Sequence, residues 1–259
     1  MKCLYKQSGF SLIELVVTIV VLGAIMAGTA AYITNSTVAY TNVAQYDQLT
    51  TLGRITIERV TRELRNALPN SIRIQNNCLE FFPIKAGSVY LSLPTTAAST
   101  SFTAASFTIP AGSNIEHVIV YPYNTTALYS AANPGPRASF SGISGSPVTT
   151  VSISSHQFNQ PAPHRRFYLA EDPVGYCIVG TDVNRYENYG VNGAQATPPG
   201  GTASLMAENI QTNDGGAITP FSYTPGSLQR KGIVTLDFRF LVNGDWMRMS
   251  HEVQIRNVL

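Results

Sequence analysis

One run constrains this chain more than any other. Residues 10–33, "FSLIELVVTIVVLGAIMAGTAAYI", are 24 consecutive positions with a single charge, Glu14. A helix of that length rises roughly 36 Å at about 1.5 Å per residue, more than the ~30 Å hydrocarbon core of a bilayer. Lys2 and Lys6 precede the run, so the positive-inside rule sets the N-terminus in the cytoplasm and the remainder outside. A cleavable secretory signal is the competing reading, with "MAGTAAY" (26–32) as a small-residue cleavage site. Glu14 argues against it, because an acid inside an apolar span costs roughly 2.5–3.5 kcal/mol on insertion scales. The helical pattern also continues past Ala31 without a break, and a permanent anchor fits better.

Beyond the anchor, Tyr46, Leu49, Gly53, Ile57, Val60, Leu64 and Leu68 recur at spacings of three and four, one face of a continuing helix. Arg54, Glu58 and Arg62 lie on the other face, with Arg59 and Glu63 beside them. Asn66 and Pro69 supply the stop, so residues 10–68 read as one helix. After Pro69 the period changes to two. "SIRIQNNCLEFFPIK" reads as two short strands around Asn76-Asn77, and "SVYLSLP", "IEHVIVYP", "TTVSISS" and "RFYLAED" as further strands. "GYCIVGTDVNRYENYG" reads as a hairpin turning at 180–182. Residues 95–113, rich in Thr, Ala and Ser, read as a long loop, 124–147 as irregular, and "GAQATPPGGTA" as a flexible loop. The last segment holds Asn243-Gly244 between two alternating runs, the turn pair favoured in two-residue hairpins. That turn sets Phe240 opposite Met247, Phe238 opposite Met249, Leu236 opposite His251 and Val234 opposite Val253 as a buried face. It also opposes Arg239 to Arg248, with Asp237 near both.

The expected fold class is therefore α+β: a long N-terminal helix, membrane-spanning in its first half, whose second half packs on an antiparallel β-sheet domain. The expected divisions are a cytoplasmic leader (1–9), the membrane half of the helix (10–33), its outer half (34–69) and a β-rich domain (70–259).

Charge gives no case for a nucleic-acid partner. There are 17 basic and 15 acidic residues, and without Lys2 and Lys6 the two are equal. Of three cysteines, Cys3 lies in the leader, which leaves Cys78 and Cys177, 99 positions apart. In an oxidising compartment they suggest a disulfide, and two unrelated buried thiols are the alternative.

"KQSG" followed by "FSLIELVVTIVVLGAI" resembles the leader and N-methylation segment of type IV pilins and of type II secretion pseudopilins. The resemblance implies that a prepilin peptidase cuts after Gly9 and that the new terminal residue, Phe10, is methylated. Glu14 would then be the assembly residue, meeting the Phe10 amine of a neighbouring subunit. Many major pilins carry a proline where this chain has Ala31, which favours a minor subunit. "RITIERVTRELRNALPNSIRI", "CLEFFPI", "PVGYCIV", "SLMAENI" and the final "GIVTLDFRFLVNGDWMRMSHEVQIRNVL" are similar to minor pilins of mannose-sensitive haemagglutinin (MSHA) pili. Implied partners are the prepilin peptidase, other minor and major pilins, and an inner-membrane assembly platform. The implied location is the inner membrane with the C-terminal domain periplasmic, then the pilus.

No catalytic motif is evident. His117, His156, His164 and His251 lack metal-ligand spacing, and no serine sits in a GxSxG elbow. Asp182, Asn184 and Glu187 echo a calcium loop but lack its central glycine and terminal glutamate. "HRRFY" (164–168) places two arginines beside aromatics, a pattern able to meet phosphate or a base, though a solvated strand edge is the preferred account. The expectation is a structural protein with no cofactor and no metal.

Overall fold

The computed structural model describes residues 9, 11–226, 230–242 and 244–255. Phe10, the leader residues 1–8 and Asn243 lie outside them. The chain divides into two units, one up to Leu49 and one from Thr50 onward. A single helix, α1 (Leu12–Leu64), runs through both.

Its C-terminal stretch shows why the three-four spacing matters. Gly53, Ile57, Val60 and Leu64 of the anticipated stripe are buried, and Thr56 and Thr61 join them. Thr56 donates from Oγ1 to the carbonyl of Met206 at 2.8 Å, which satisfies its buried hydroxyl. Glu63 accepts from Arg185 Nε at 3.1 Å, tying this face of the helix to the following domain.

The helix ends four residues before the expected Leu68. Asn66 N–H bonds Glu63 O and Ala67 N–H bonds Leu64 O, both at 3.0 Å, a tightening of the last turn. Ala67 then bridges Pro83, and Leu68 N–H donates to Phe82 O at 2.8 Å. Leu68 is buried as expected but as extended backbone, because pairing with the 82–83 segment satisfies its main chain better than another helical turn.

Among the described residues fourteen strands follow: β1 (Arg73–Gln75), β2 (Cys78–Phe81), β3 (Ile84–Val89), β4 (Ser99–Ala105), β5 (His117–Val120), β6 (Arg137–Ser144), β7 (Val148–His156), β8 (Arg166–Ala170), β9 (Val174–Val179), β10 (Asp182–Glu187), β11 (Thr202–Ala207), β12 (Phe221–Thr224), β13 (Gly232–Val242) and β14 (Asp245–Ile255), with a short helix α2 (Thr125–Tyr129) between β5 and β6. They form three sheets rather than the single sheet expected: β1-β2-β9-β10-β11, β3-β8-β5-β6-β7-β4 and β12-β13-β14. All the ladders between them are antiparallel. The division between the first two sheets falls at Phe82-Pro83. Proline has no N–H for a ladder, so β2 ends there and β3 starts a different sheet. The six-stranded sheet covers a core with Phe102, Val118, Val151, Phe158, Phe167 and Leu169.

Two segments expected to lack structure contain strands. β4 lies within 95–113 and alternates, burying Phe102 and Ala104 and exposing polar residues. Its Ser/Thr-rich composition masked a true period of two. Within 124–147, Asn124 caps α2 by accepting from Ala127 N–H at 2.7 Å, and β6 follows. "SVYLSLP" contributes less than expected, since β3 ends at Val89 and Tyr90 makes only a bridge to Ala104. The "GAQATPPGGTA" loop is tied down rather than free. Arg73 donates to Gly193 O and Asn192 O at 2.8 Å, Asn76 bonds Thr197 at 2.9 Å, and Gln195 bonds Cys78 O at 3.1 Å.

Strands pair at 73–81 and 174–187 as expected, and the 232–255 hairpin has the expected register. Val179 opposes Asp182 across a two-residue turn, and Phe240, Phe238, Leu236 and Val234 oppose Met247, Met249, His251 and Val253. Arg239 opposes Arg248, and Asp237 holds Arg248 at 2.8 Å and 3.0 Å. His251, expected on a buried face, is exposed, because β14 is the outermost strand of its sheet.

Gly53 lies where α1 crosses that hairpin. A Cβ there would come within 2.6 Å of Met249 Sδ and 3.0 Å of the fully buried Phe240 ring. Methionine yields, but the ring has no room. Gly53→Val is expected to destabilise by about 1–3 kcal/mol through overpacking, read as a lower melting temperature by circular dichroism of the full chain in detergent. An unchanged melt would show that the crossing has room for the added methyl groups.

Candidate processing and assembly site

The start of α1 is built by its own sequence. The Ser11 carbonyl accepts from Glu14 N–H at 3.1 Å and from Leu15 N–H at 3.2 Å, which makes Ser11 the N-cap residue. "SLIE" therefore sets an acid at the third helical position, the spacing of a capping box. Glu14 lies in the first turn, among N–H groups with no helical acceptor, where the helix dipole favours a negative charge. This partial compensation for its apolar setting went unread in the sequence, although the Ser-x-x-Glu spacing signals it. Gly9 is exposed, with open space around its Cα, and Glu14 is exposed as well. Phe10 lies outside the described residues.

Downstream, α1 has the properties of a helix that lives in an apolar medium. Leu12, Ile13, Val16, Val20, Ile25 and Ile33 are all exposed large hydrophobics, and the helix is long and apolar enough to cross a membrane. Its hydroxyls turn back on the helix. Thr18 bonds Leu15 O, Thr29 bonds Ile25 O and Met26 O, Thr34 bonds Ala30 O and Thr37 bonds Ile33 O, at 2.8–3.0 Å. In hydrocarbon an unbonded hydroxyl costs several kcal/mol, and this back-bonding removes that cost.

The two remaining cysteines meet in the five-stranded sheet. Cys78 of β2 opposes Cys177 of β9 directly, with Cα atoms 4.1 Å apart, and the sulfurs are bonded. Tyr186 and Tyr189 pack against the pair. Nearby, Glu80 accepts from Arg73 Nε at 2.5 Å and from Tyr189 at 3.1 Å, and the Arg73 guanidinium lies 3.5 Å from the Tyr129 ring centre. Burial pushes the Tyr129 hydroxyl well above its usual range, and the Glu80 charge adds to that. These are the interactions of a stapled core rather than of a reactive centre.

His117 is the histidine that the structure makes informative. It is buried on β5, with Nε2 2.8 Å from Asp172 and Nδ1 3.4 Å from Arg137. Burial lowers its pKa below 6.5, and the neighbouring Arg137 charge adds to this, against the raising effect of Asp172 and Glu116. A depressed folded pKa means that the unfolded chain binds more protons just below pH 6.5, so stability rises with pH through that window and falls on acidification. The slope of melting temperature against pH between about 7.5 and 5 is expected to be shallower in His117→Gln than in the native chain. Equal slopes would remove His117 as the cause.

The other sequence candidates do not converge. His156 donates from Nε2 to the Gly135 carbonyl at 3.0 Å, His164 and His251 are exposed, and no group of three or more His, Cys, Asp or Glu able to hold a metal occurs among the described residues. Asp182, Asn184 and Glu187 lie along β10 rather than around a loop, and Glu187 is paired with Arg185. Arg165 and Arg166 of "HRRFY" are exposed at the start of β8.

The prokaryotic N-terminal methylation motif matches residues 4–30. No curated protein and no solved structure matches the chain. That motif, matched over the N-terminal segment alone and leading into an exposed apolar helix with an acid in its first turn, is of the kind that type IV pilin-like precursors carry.

Proposed function

We propose that this protein is a non-enzymatic minor pilin-like subunit of an MSHA-type type IV pilus, acting in priming or at the tip, and that the resemblance to MshO in the stretches quoted above extends to role. The observation that carries the reading is the methylation motif at residues 4–30 running directly into the exposed apolar helix. In this reading prepilin peptidase cuts after Gly9 on the cytoplasmic side. The new Phe10 amine, with a reference pKa of ~7.7–8, carries a positive charge near neutral pH. The anchor half of α1 waits in the inner membrane with the β-rich domain in the periplasm, then packs into the filament core, where Glu14 of one subunit pairs with the Phe10 amine of the next.

N-terminal mass spectrometry of the membrane-bound protein tests this first. A chain beginning at methylated Phe10 is expected, and one beginning near Ala31 would overturn the reading in favour of a secreted protein. The second reading is a minor pseudopilin of a type II secretion system, favoured by the same leader and by a large β-domain. Deleting the gene is expected to reduce surface pili and leave exoprotein secretion intact; the reverse pattern supports the pseudopilin. A glycan- or DNA-binding tip adhesin is the remaining alternative, for which the exposed Arg165 and Arg166 are the support.

A further inference from the structure

We propose that the free edge of β14, together with the groove between it and residues 54–65 of α1, receives an acidic extended segment of a different subunit as an added β-strand. The inference deepens the assembly reading, on which it rests, by naming a docking surface and the chemistry of its occupant.

Among the described residues β14 pairs with β13 on one side and with no strand on the other. The direction of its main chain follows from its neighbour. Asp237 N–H donates to Pro220 O at 2.8 Å, Arg239 O accepts from Gln211 N–H at 2.7 Å, and Leu241 N–H points to Asn209 O at 3.4 Å. These β13 residues therefore turn their backbone groups away from β14. In an antiparallel ladder directly opposed residues share that orientation and alternate along the strand. Ser250, Arg248 and Trp246 oppose them, so these three and, by the same period, Glu252 and Gln254 turn N–H and C=O groups to the open edge. Among the described residues no backbone bond from another segment reaches them.

Three of the devices that blunt such an edge, a short strand, a proline and a bulge, are absent from β14, although it carries the charged Arg248 and Glu252. β14 is 11 residues long, has no proline and runs against β13 without a register shift. Beside it the groove continues in two stretches of about 720 and 660 Å³ that share Arg62 and Arg65. On its floor Thr61 is 6% exposed, and its Oγ1 has no hydrogen-bond partner. A hydroxyl buried without a partner is costly, and a strand lying in the groove would bring one.

Charge selects the occupant. Arg54, Arg62, Arg65 and Lys231 line the groove, are exposed, and are in no ion pair among the described residues. Arg248 is held by Asp237, and His251 lies beside it. The acids on the lining are Glu58 and Glu252, which the free cations outnumber. An acidic strand is therefore preferred, with main-chain bonds supplying affinity and charge supplying selection. A second copy of this chain fits less well, because its other edge strands, β1 "RIQ", β11 "TASLMA", β3 "IKAGSV", β4 "STSFTAA" and β12 "FSYT", contain no Asp or Glu, and its β14 sets Arg248 among its two acids, Asp245 and Glu252.

The test uses the full chain in detergent micelles and three labelled nonapeptides: alternating Val/Glu, alternating Val/Lys, and Val/Glu with a central proline. Fluorescence anisotropy is expected to rise with the first peptide alone. Its affinity is expected to fall about tenfold in Arg62→Glu/Arg65→Glu and about tenfold in Ser250→Pro, which removes an N–H that the β13 ladder does not use. Amide exchange at Trp246, Arg248, Ser250, Glu252 and Gln254 is expected to slow when the Val/Glu peptide is added. Equal binding of the Val/Lys peptide, no binding at all, or protection of this edge by concentration alone, as self-association would give, each overturns the proposal. Should Ser250→Pro fail to fold, the charge reversal and the exchange pattern decide. A chain that starts at methylated Phe10 yet ignores the acidic peptide keeps the assembly reading and loses this edge.

Discussion

Glu14→Ala is expected to leave the protein in the inner membrane and to cut its recovery in sheared pili by roughly a hundredfold or more. Removing one member of a buried ion pair costs about 3–5 kcal/mol, and each 1.4 kcal/mol is about tenfold in an equilibrium. Membrane retention should survive, because the apolar residues that follow Glu14 are untouched and the change removes a charge from the span. The local loss is smaller. Glu14 sits in the first turn of α1 above the Ser11 cap, where its interaction with the helix end contributes about 0.3–1 kcal/mol. A capping role alone would therefore give a loss of a few-fold, so the size of the effect separates the two roles. If the proposed cut and pairing hold, Gly9→Val, by blocking the cut and so the amine, should match Glu14→Ala, and the double variant should be no worse than either, since both would remove the same pair. Unchanged recovery in Glu14→Ala, or additive losses in the double variant, would sink the pairing.

The second large effect is expected at the disulfide. Cys78→Ser/Cys177→Ser should destabilise the β-rich unit by about 2–5 kcal/mol, because the bond closes a loop of 99 residues in the unfolded chain. At about 2–4 °C per kcal/mol for a unit of this size, that is a fall of roughly 5–15 °C in melting temperature. The register of β2 against β9 should survive, since four residue pairs on either strand are held by the ladder itself. Reductant is expected to lower the melt of the native chain to that of the variant. Equal melting of native and variant chains under oxidising conditions would show that the ladder alone determines stability here. The loop over the bond, held by Gln195 to the Cys78 carbonyl and by Arg73 to Gly193 and Asn192, is expected to loosen first.

Some features of the fold were legible because they depend on local period and turn chemistry. The anchor, the 53–64 stripe, and the hairpins at 73–81, 174–187 and 232–255 are set by spacing and by turn residues such as Asn76, which takes a positive φ of 53°. β4 and α2 were missed for a physical reason. Their residues are small and polar, and they become ordered by neighbours distant in sequence: Phe102 of β4 packs edge-on to Phe158 and Phe167, and Tyr129 of α2 reaches Ser71 O at 3.0 Å. The end of α1 was misplaced for a related reason, since Leu68 is apolar in either conformation and the choice was made by Phe82.

At the candidate site, the expectation for Gly9, Phe10 and Glu14 rests on "KQSG" and "FSLIE" alone, a linear pattern inside the matched methylation motif. The direct opposition of Cys78 and Cys177, the burial of His117 against Asp172 and Arg137, the separation of the first two sheets at Pro83, and the open edge of β14 were decided by tertiary structure. Each depends on which strand lies beside which, and that choice is made by packing between segments tens of residues apart, where no local period reaches.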